Sequence, residues 1–311
     1  MSNQPLKLVL FAASSIVIPT LNKLLGINQL AGVVLTERVD EDAMQLQQQL
    51  NQFNIPNIRY QTGKPENTVH QIEAWQADAG LIFTFSHKLP ASIIDAFELG
   101  LFNLHASNLP KYQGAMPLYW QIRNRETKGC LSIIKVEEKF DCGDIMLQQN
   151  IPLHPLDTLN SFANVMAEQS ADFALGFIEK LQQQTLVATG QTGEVTKAPM
   201  PSQQDLMVSW QTMSSEAIAA QARAGNPSFN GALFGWQSSL IGLLQATPVK
   251  HPSYGVPAGT VLHVGEPEGV IVATLDGALR LDVLTMTEGV FSGLAFAERF
   301  GLDAGVQLDV D

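Results

Sequence analysis

The sequence predicts an α/β protein in two units: a doubly wound, mainly parallel sheet, followed by a smaller β-barrel. Short apolar runs alternate with amphipathic stretches between Leu6 and Phe97, and that alternation requires crossover helices and hence a parallel sheet. Beyond residue 200 the pattern changes to short strands split by Gly and Pro turns, as in small antiparallel barrels. At 311 residues the chain also exceeds one ordinary core, about 150 residues per domain being the usual expectation.

Leu6 to Ala12 reads as an apolar strand, and Ser14 or Ser15 can cap the helix that runs on to Leu25. Gln29 to Leu35 is the second strand, Asp42 to Gln52 a Gln-rich helix, and the region of Ile58 a weak strand. A helix over Val69 to Gln76 and a buried strand over Gly80 to Phe85 follow. The turn after the first strand, Phe11 to Ser15, contains no glycine, so a dinucleotide-binding fingerprint is absent. A helix then runs from Pro90 to Phe97, another from Met116 to Asn124, and strands cover Cys130 to Val136 and Ile145 to Leu153. That places Asp141 on the loop between the last two strands.

Asp157 and Thr158 cap a long scaffold helix reaching Gln184, which closes a first domain of residues 1–184. The polar stretch 185–204, with Gly190, Gly193, Pro199 and Pro201, is the expected linker. The second domain, 205–311, opens with a Trp-containing strand from Met207 to Trp210 and a helix from Ser215 to Arg223. Strands are expected at Thr260 to Val264, Gly269 to Thr274 and Ala278 to Leu284.

Chemistry is concentrated between Phe102 and Gly143. In Leu101-Phe102-Asn103-Leu104-His105 the polar residues alternate with apolar ones, so Asn103 and His105 point to the same face of a strand. Ser107, Asn108, Pro110, Gln113, Gly114 and Pro117 supply turn chemistry immediately afterwards. The pair therefore belongs at a strand's carboxyl end, where open α/β sheets keep their sites. A lone histidine there is usually a structural group, but an amide and an imidazole together make a donor pair for a developing oxyanion.

The run FNLHASNLPKYQGAMPLYW, followed by SIIKVEEKFDCGDIMLQQNIPL, resembles the formyltransferase family that uses 10-formyltetrahydrofolate. The pattern is carried by Asn103, His105, Ser107, Leu109, Pro110, Gly114, Pro117, Asp141 and Gly143, and the likeness extends over nearly the whole chain. Within the family it is nearest to methionyl-tRNA formyltransferases and the related sugar N-formyltransferases. Arg223-Ala224-Gly225-Asn226-Pro227 and Pro257-Ala258-Gly259-Thr260 are similar to segments of the methionyl-tRNA enzymes' second domain. The resemblance implies the formyltransferase fold with an OB-like second domain, and Asn103, His105 and Asp141 as catalytic residues. It also implies a pterin slot walled by the loop holding Phe85, Ser86, His87, Lys88 and Leu89, and by residues Glu138, Phe140 and Gly143. Ser107, Leu109 and Pro110 join that co-substrate site by the same likeness.

No metal is expected: the two cysteines, Cys130 and Cys142, lack partners at zinc spacing and are too few for a disulfide framework. Cys142 reads as a small pocket-lining side chain rather than a nucleophile. Met1 to Lys7 has no basic run leading into an apolar segment, and no apolar stretch approaches a membrane span, so a cytoplasmic protein is expected. Thirty acidic residues against eighteen basic ones repel phosphate backbones. The loop after the second strand, Thr36 to Asp42, adds four carboxylates to one arginine. A small-molecule amine, an amino sugar or an amino acid derivative, is therefore the preferred acceptor, with tRNA as the alternative. A non-catalytic folate-binding module is a further alternative, although all three polar groups of the site are present.

Overall fold

The computed structural model describes residues 5–85 and 87–308. Ser86, in the loop expected to face the pterin, and most of the Met1–Lys7 stretch lie outside them. The chain divides into two compact units, one of Met1–Pro117, Lys128–Pro152 and Ala163–Pro199, the other of Leu118–Thr127, Leu153–Phe162 and Met200–Asp311.

The first unit is built on a seven-stranded sheet, β1 (Leu8–Ala12), β2 (Leu30–Leu35), β3 (Asn57–Arg59), β4 (Ala79–Phe83), β5 (Gly100–His105), β6 (Lys128–Lys135) and β7 (Ile145–Pro152). Their spatial order is β3-β2-β1-β4-β5-β6-β7. The first five are parallel and the last two pair antiparallel at one edge. Every residue of β1 and β4 is buried, as inner parallel strands must be when helices cover both faces. Strand order reverses between β1 and β4, so the crevice of this sheet opens at their carboxyl ends.

The crossovers are α1 (Ile18–Gly26), α2 (Glu41–Gln52), α3 (Pro65–Trp75) and the single turn α4 (Ala91–Ile94). Helix α1 is preceded by a 3₁₀ turn at Ser15–Val17, and the serines do not cap it through their side chains. Proline in the first turn of α1 starts it instead, where a missing N–H has no intrahelical partner to lose. The helix expected to reach Phe97 stops at Ile94, because buried Phe97 turns the chain into β5 by accepting a hydrogen bond from Gly100 N–H. Helix α5 (Pro117–Arg123) precedes β6, and the long α6 (Leu159–Gln182) sets Phe177 edge-on against Phe102 of β5, centroids 4.8 Å apart. In the segment expected as the linker, Thr189 and Ile145 exchange backbone hydrogen bonds and Lys197 bridges Gln113. Residues as far as Pro199 therefore cluster with the first unit.

The second unit is an antiparallel, barrel-like arrangement of β8 (Ala232–Trp236), β9 (Ser239–Val249), β10 (Val261–Gly265), β11 (Gly269–Ala273), β12 (Ala278–Met286) and β13 (Gly289–Ser292). The order is β10-β11-β12-β9-β8, with β13 also on β12. Helices α7 (Gln203–Leu206), α8 (Ser215–Gly225) and α9 (Gly293–Phe300) accompany it. The strand expected from Met207 to Trp210 is absent: Met207 makes one isolated bridge to Leu233. Ser209 O then accepts hydrogen bonds from Thr212 and Met213, which closes a turn. Trp210 is buried for its own reasons, edge-on to Phe234 in the core.

Candidate active site

Strand β5 carries Asn103 and His105 at its carboxyl end, and the β6–β7 loop brings Asp141 to them. Asn103 Nδ2 donates to Asp141 Oδ1 at 3.3 Å, and His105 Nδ1 stands 3.7 Å from the same oxygen. The other carboxylate oxygen accepts from Gly114 N–H at 2.9 Å. The side chains of His105 and Asp141 are only 8% and 9% exposed, so water screens the interaction between them little. On its far side His105 Nε2 lies 3.0 Å from Tyr112 O. A carbonyl oxygen only accepts, so Nε2 carries a proton and Nδ1 is the atom left to take up another beside the carboxylate.

Local backbone makes this convergence possible. Asp141 sits at φ +55°, a left-handed conformation that short polar side chains tolerate better than others do. Two residues later the chain passes β6 so closely that a Cβ on Gly143 would lie 1.8 Å from Lys135 O. Only glycine fits there. Three side chains left in the sequence as turn or linker, Gln113, Gln191 and Lys197, hold this loop from behind. Their distance along the chain gave no signal for it.

The residues expected to wall the co-substrate fall into two groups. Phe85 and Leu89 are buried in a core cluster with Phe11, Tyr60 and Phe97, so that loop has backbone rather than these side chains to offer a ligand. His87 is held by Thr36, Nε2 to Oγ1 2.8 Å, and by the rings of Tyr60 and Phe85. Ser107 is fully buried, donating to Lys111 O at 2.8 Å and accepting from Ser132 Oγ through its carbonyl at 2.6 Å. Leu109 O accepts from Gln148 Nε2 at 3.3 Å, and the Leu109–Pro110 peptide is cis. These pins fix the strand end without presenting side chains to solvent. Glu138 and Phe140 do line an open cleft of about 510 Å³, together with Lys88, Lys139 and Lys197, and Phe140 is 56% exposed.

Three carboxylates of the acidic loop have structural partners. Asp40 caps α2 by accepting from Ala43 N–H, Asp42 accepts from Ser15 N–H, and Glu37 accepts from Thr62 Oγ1. The Thr62 hydroxyl holds the Glu37 carboxyl below its ordinary range. Burial pushes the Cys130 thiol up, which keeps it protonated and inert. Among the described residues no group of three or more His, Cys, Asp or Glu side chains is placed to hold a metal ion, and no helix is long and apolar enough to cross a membrane.

Residues 29–175 match the family described as formyl transferase, and residues 201–298 match the formyl transferase C-terminal domain. A Synechococcus sp. (strain JA-3-3Ab) protein named methionyl-tRNA formyltransferase is 32% identical over 215 residues, 68% of this chain and 66% of that one. The alignment thus spans just under two thirds of that relative. HypX from Aquifex aeolicus, solved in complex with tetrahydrofolic acid, superposes with a TM-score of 0.61 at 17% identity, over 99% of this chain and 49% of its own. The N-formyltransferase from Helicobacter canadensis, solved with folinic acid and dTDP-3-aminofucose, gives 0.63 at 18% identity, over 88% and 98%. Likeness at these identities speaks to the fold.

Proposed function

The chain belongs to the formyl transferase family, and on that premise we propose that it transfers the formyl group of 10-formyltetrahydrofolate to the primary amine of a small molecule. The observation that carries this reading is the meeting of Asn103, His105 and Asp141 around one carboxylate oxygen at the end of β5. The amine attacks the formyl carbon, a C–N bond forms, and the carbonyl oxygen becomes an oxyanion. Asn103 uses one amide N–H on Asp141 and has a second for that oxyanion. The proton leaving the amine is taken up by the His105–Asp141 pair and delivered to N10 of the folate as the old C–N bond breaks. Products are the formamide and tetrahydrofolate. No step calls for a metal ion.

The cleft is bordered by Phe140, Glu138, Lys88, Lys139 and Lys197, and one aromatic ring with three ammonium groups against one carboxylate supports a ligand with an aromatic body and a carboxylate end, as a folate has. For the acceptor, the net charge of −12 and the acidic loop from Thr36 to Asp42 favour an amino sugar or amino acid-derived amine over a polyanion. The name of the Synechococcus relative favours a second reading, in which the acceptor is methionyl-tRNA. Release of tetrahydrofolate from 10-formyltetrahydrofolate, measured against a panel of small amines and against charged initiator tRNA at low salt, separates the two. Turnover with an amine is the expected result. Formylation of the tRNA alone would replace the proposal with the second reading, and folate binding without turnover on any acceptor would leave a binding module.

A further inference from the structure

Behind Asp141 the segment Thr189–Ala198 is tied down at both ends. Thr189 and Ile145 exchange backbone hydrogen bonds of 2.8 and 2.9 Å, while Gln113 and Ala198 are joined by one of 2.8 Å. Between those ends Gln191 Nε2 donates to Asp141 O and to Gly143 O, each at 2.8 Å. Gln113 Nε2 donates to Asp141 O at 2.9 Å and to Gln191 Oε1 at 3.2 Å. Lys197 Nζ donates to Gln113 Oε1 at 2.6 Å. An ammonium that only donates stands at one end of this chain, and carbonyls that only accept stand at the other, so the direction of every bond is fixed. Both carboxamides spend all their donors and their oxygen within it.

We infer that Gln191, backed by Gln113 and Lys197, is a positioning residue that sets where the Asp141 carboxylate stands against Asn103 and His105. It touches neither the reacting atoms nor the Asp141 side chain. It holds the peptide that follows Asp141, a residue in left-handed conformation, and the peptide that follows Gly143; without that hold the loop would relax and carry the carboxylate away. Chained hydrogen bonds polarise one another, so the lysine strengthens the grip of a glutamine it does not share a bond with. The catalytic part of this inference rests on the formyl-transfer reading above; the structural part does not.

Gln191→Glu is nearly isosteric but sets an oxygen against two carbonyl oxygens, and Gln191→Ala removes the grip without repulsion. Because Gly114 N–H donates to Asp141 Oδ2, hydrogen exchange at the Gly114 amide reports the carboxylate's position without any turnover. Exchange there should accelerate at least about fivefold in both variants, as in Asp141→Asn, with the β1 amides unchanged. Where transfer is measured, kcat should fall on the order of 10- to 100-fold with the folate KM within about twofold. In an Asp141→Asn background the same substitution should matter less than about twofold, since it acts through that carboxylate. Unchanged Gly114 exchange, or a full multiplicative loss in the Asp141→Asn background, would overturn the inference. An enzyme with no transfer to any amine, but with the exchange effect intact, would sink the proposed function and leave this positioning role standing.

Discussion

Asn103 and Asp141, 38 positions apart, share a 3.3 Å hydrogen bond whose acceptor oxygen is the one that His105 Nδ1 also faces. One carboxylate oxygen thus accepts from an amide and faces an imidazole, and the three side chains form a unit. Groups of that kind lose their effect together rather than in proportion.

Asn103→Ala, His105→Ala and Asp141→Ala are each expected to lower kcat by on the order of 100-fold or more. The His105→Ala/Asp141→Ala double variant should fall little below the worse single one. Steady-state transfer kinetics on folded variants check both statements. Losses that multiply would mean the carboxylate and the imidazole work separately.

Cys142 stands between Asp141 and Gly143 and is partly exposed, which invites a covalent role. Formyl transfer between two nitrogens needs no thiol. Cys142→Ala should keep kcat within about threefold, and no formyl thioester should be trapped by rapid quench. A loss near the oxyanion-donor scale of about 100-fold would make the thiol a participant.

At Gly143 a methyl group would lie 1.8 Å from the Lys135 carbonyl oxygen at the end of β6. Backbone on a paired strand cannot step aside, so the Asp141 loop must. Gly143→Ala is expected to cost about 1–3 kcal/mol in urea denaturation, as overpacking does, and to depress kcat on the order of 100-fold by displacing the carboxylate. Wild-type stability and turnover in this variant would show that the loop has slack.

Much of the architecture was legible because it rests on local pattern. The continuous apolar runs of β1 and β4 announce buried parallel strands, and the alternation in β5 alone puts Asn103 and His105 on one face. The hairpin β8–β9 was not legible. Its two-residue turn puts Gln237 and Ser238 at φ +48° and +63°, conformations usually signalled by Asn-Gly. Trp210 misled in the other direction, since burial of an indole does not require a strand. The grip of Gln191 on Asp141, 50 positions away, is a side-chain contact that only the folded chain brings about.

Tyr119 is fully buried, donates its hydroxyl to Asp205 O at 3.2 Å, and packs edge-on to Phe229. Burial pushes its phenol from an ordinary value of 10.0 to about 12, against the opposing pull of Arg123. The folded state therefore holds this proton more tightly than the unfolded chain does. Its contribution to stability is complete below pH 10 and is lost as pH rises from 10 through about 12. Of the four tyrosines, burial raises Tyr60 as well, but Tyr119 should ionise last in an ultraviolet titration of the folded protein, and that last step should vanish in Tyr119→Phe. The same substitution should flatten the fall in denaturation midpoint above pH 10. A titration whose last step is unchanged in the variant would assign that step to a different tyrosine and remove Tyr119 from the alkaline stability of this unit.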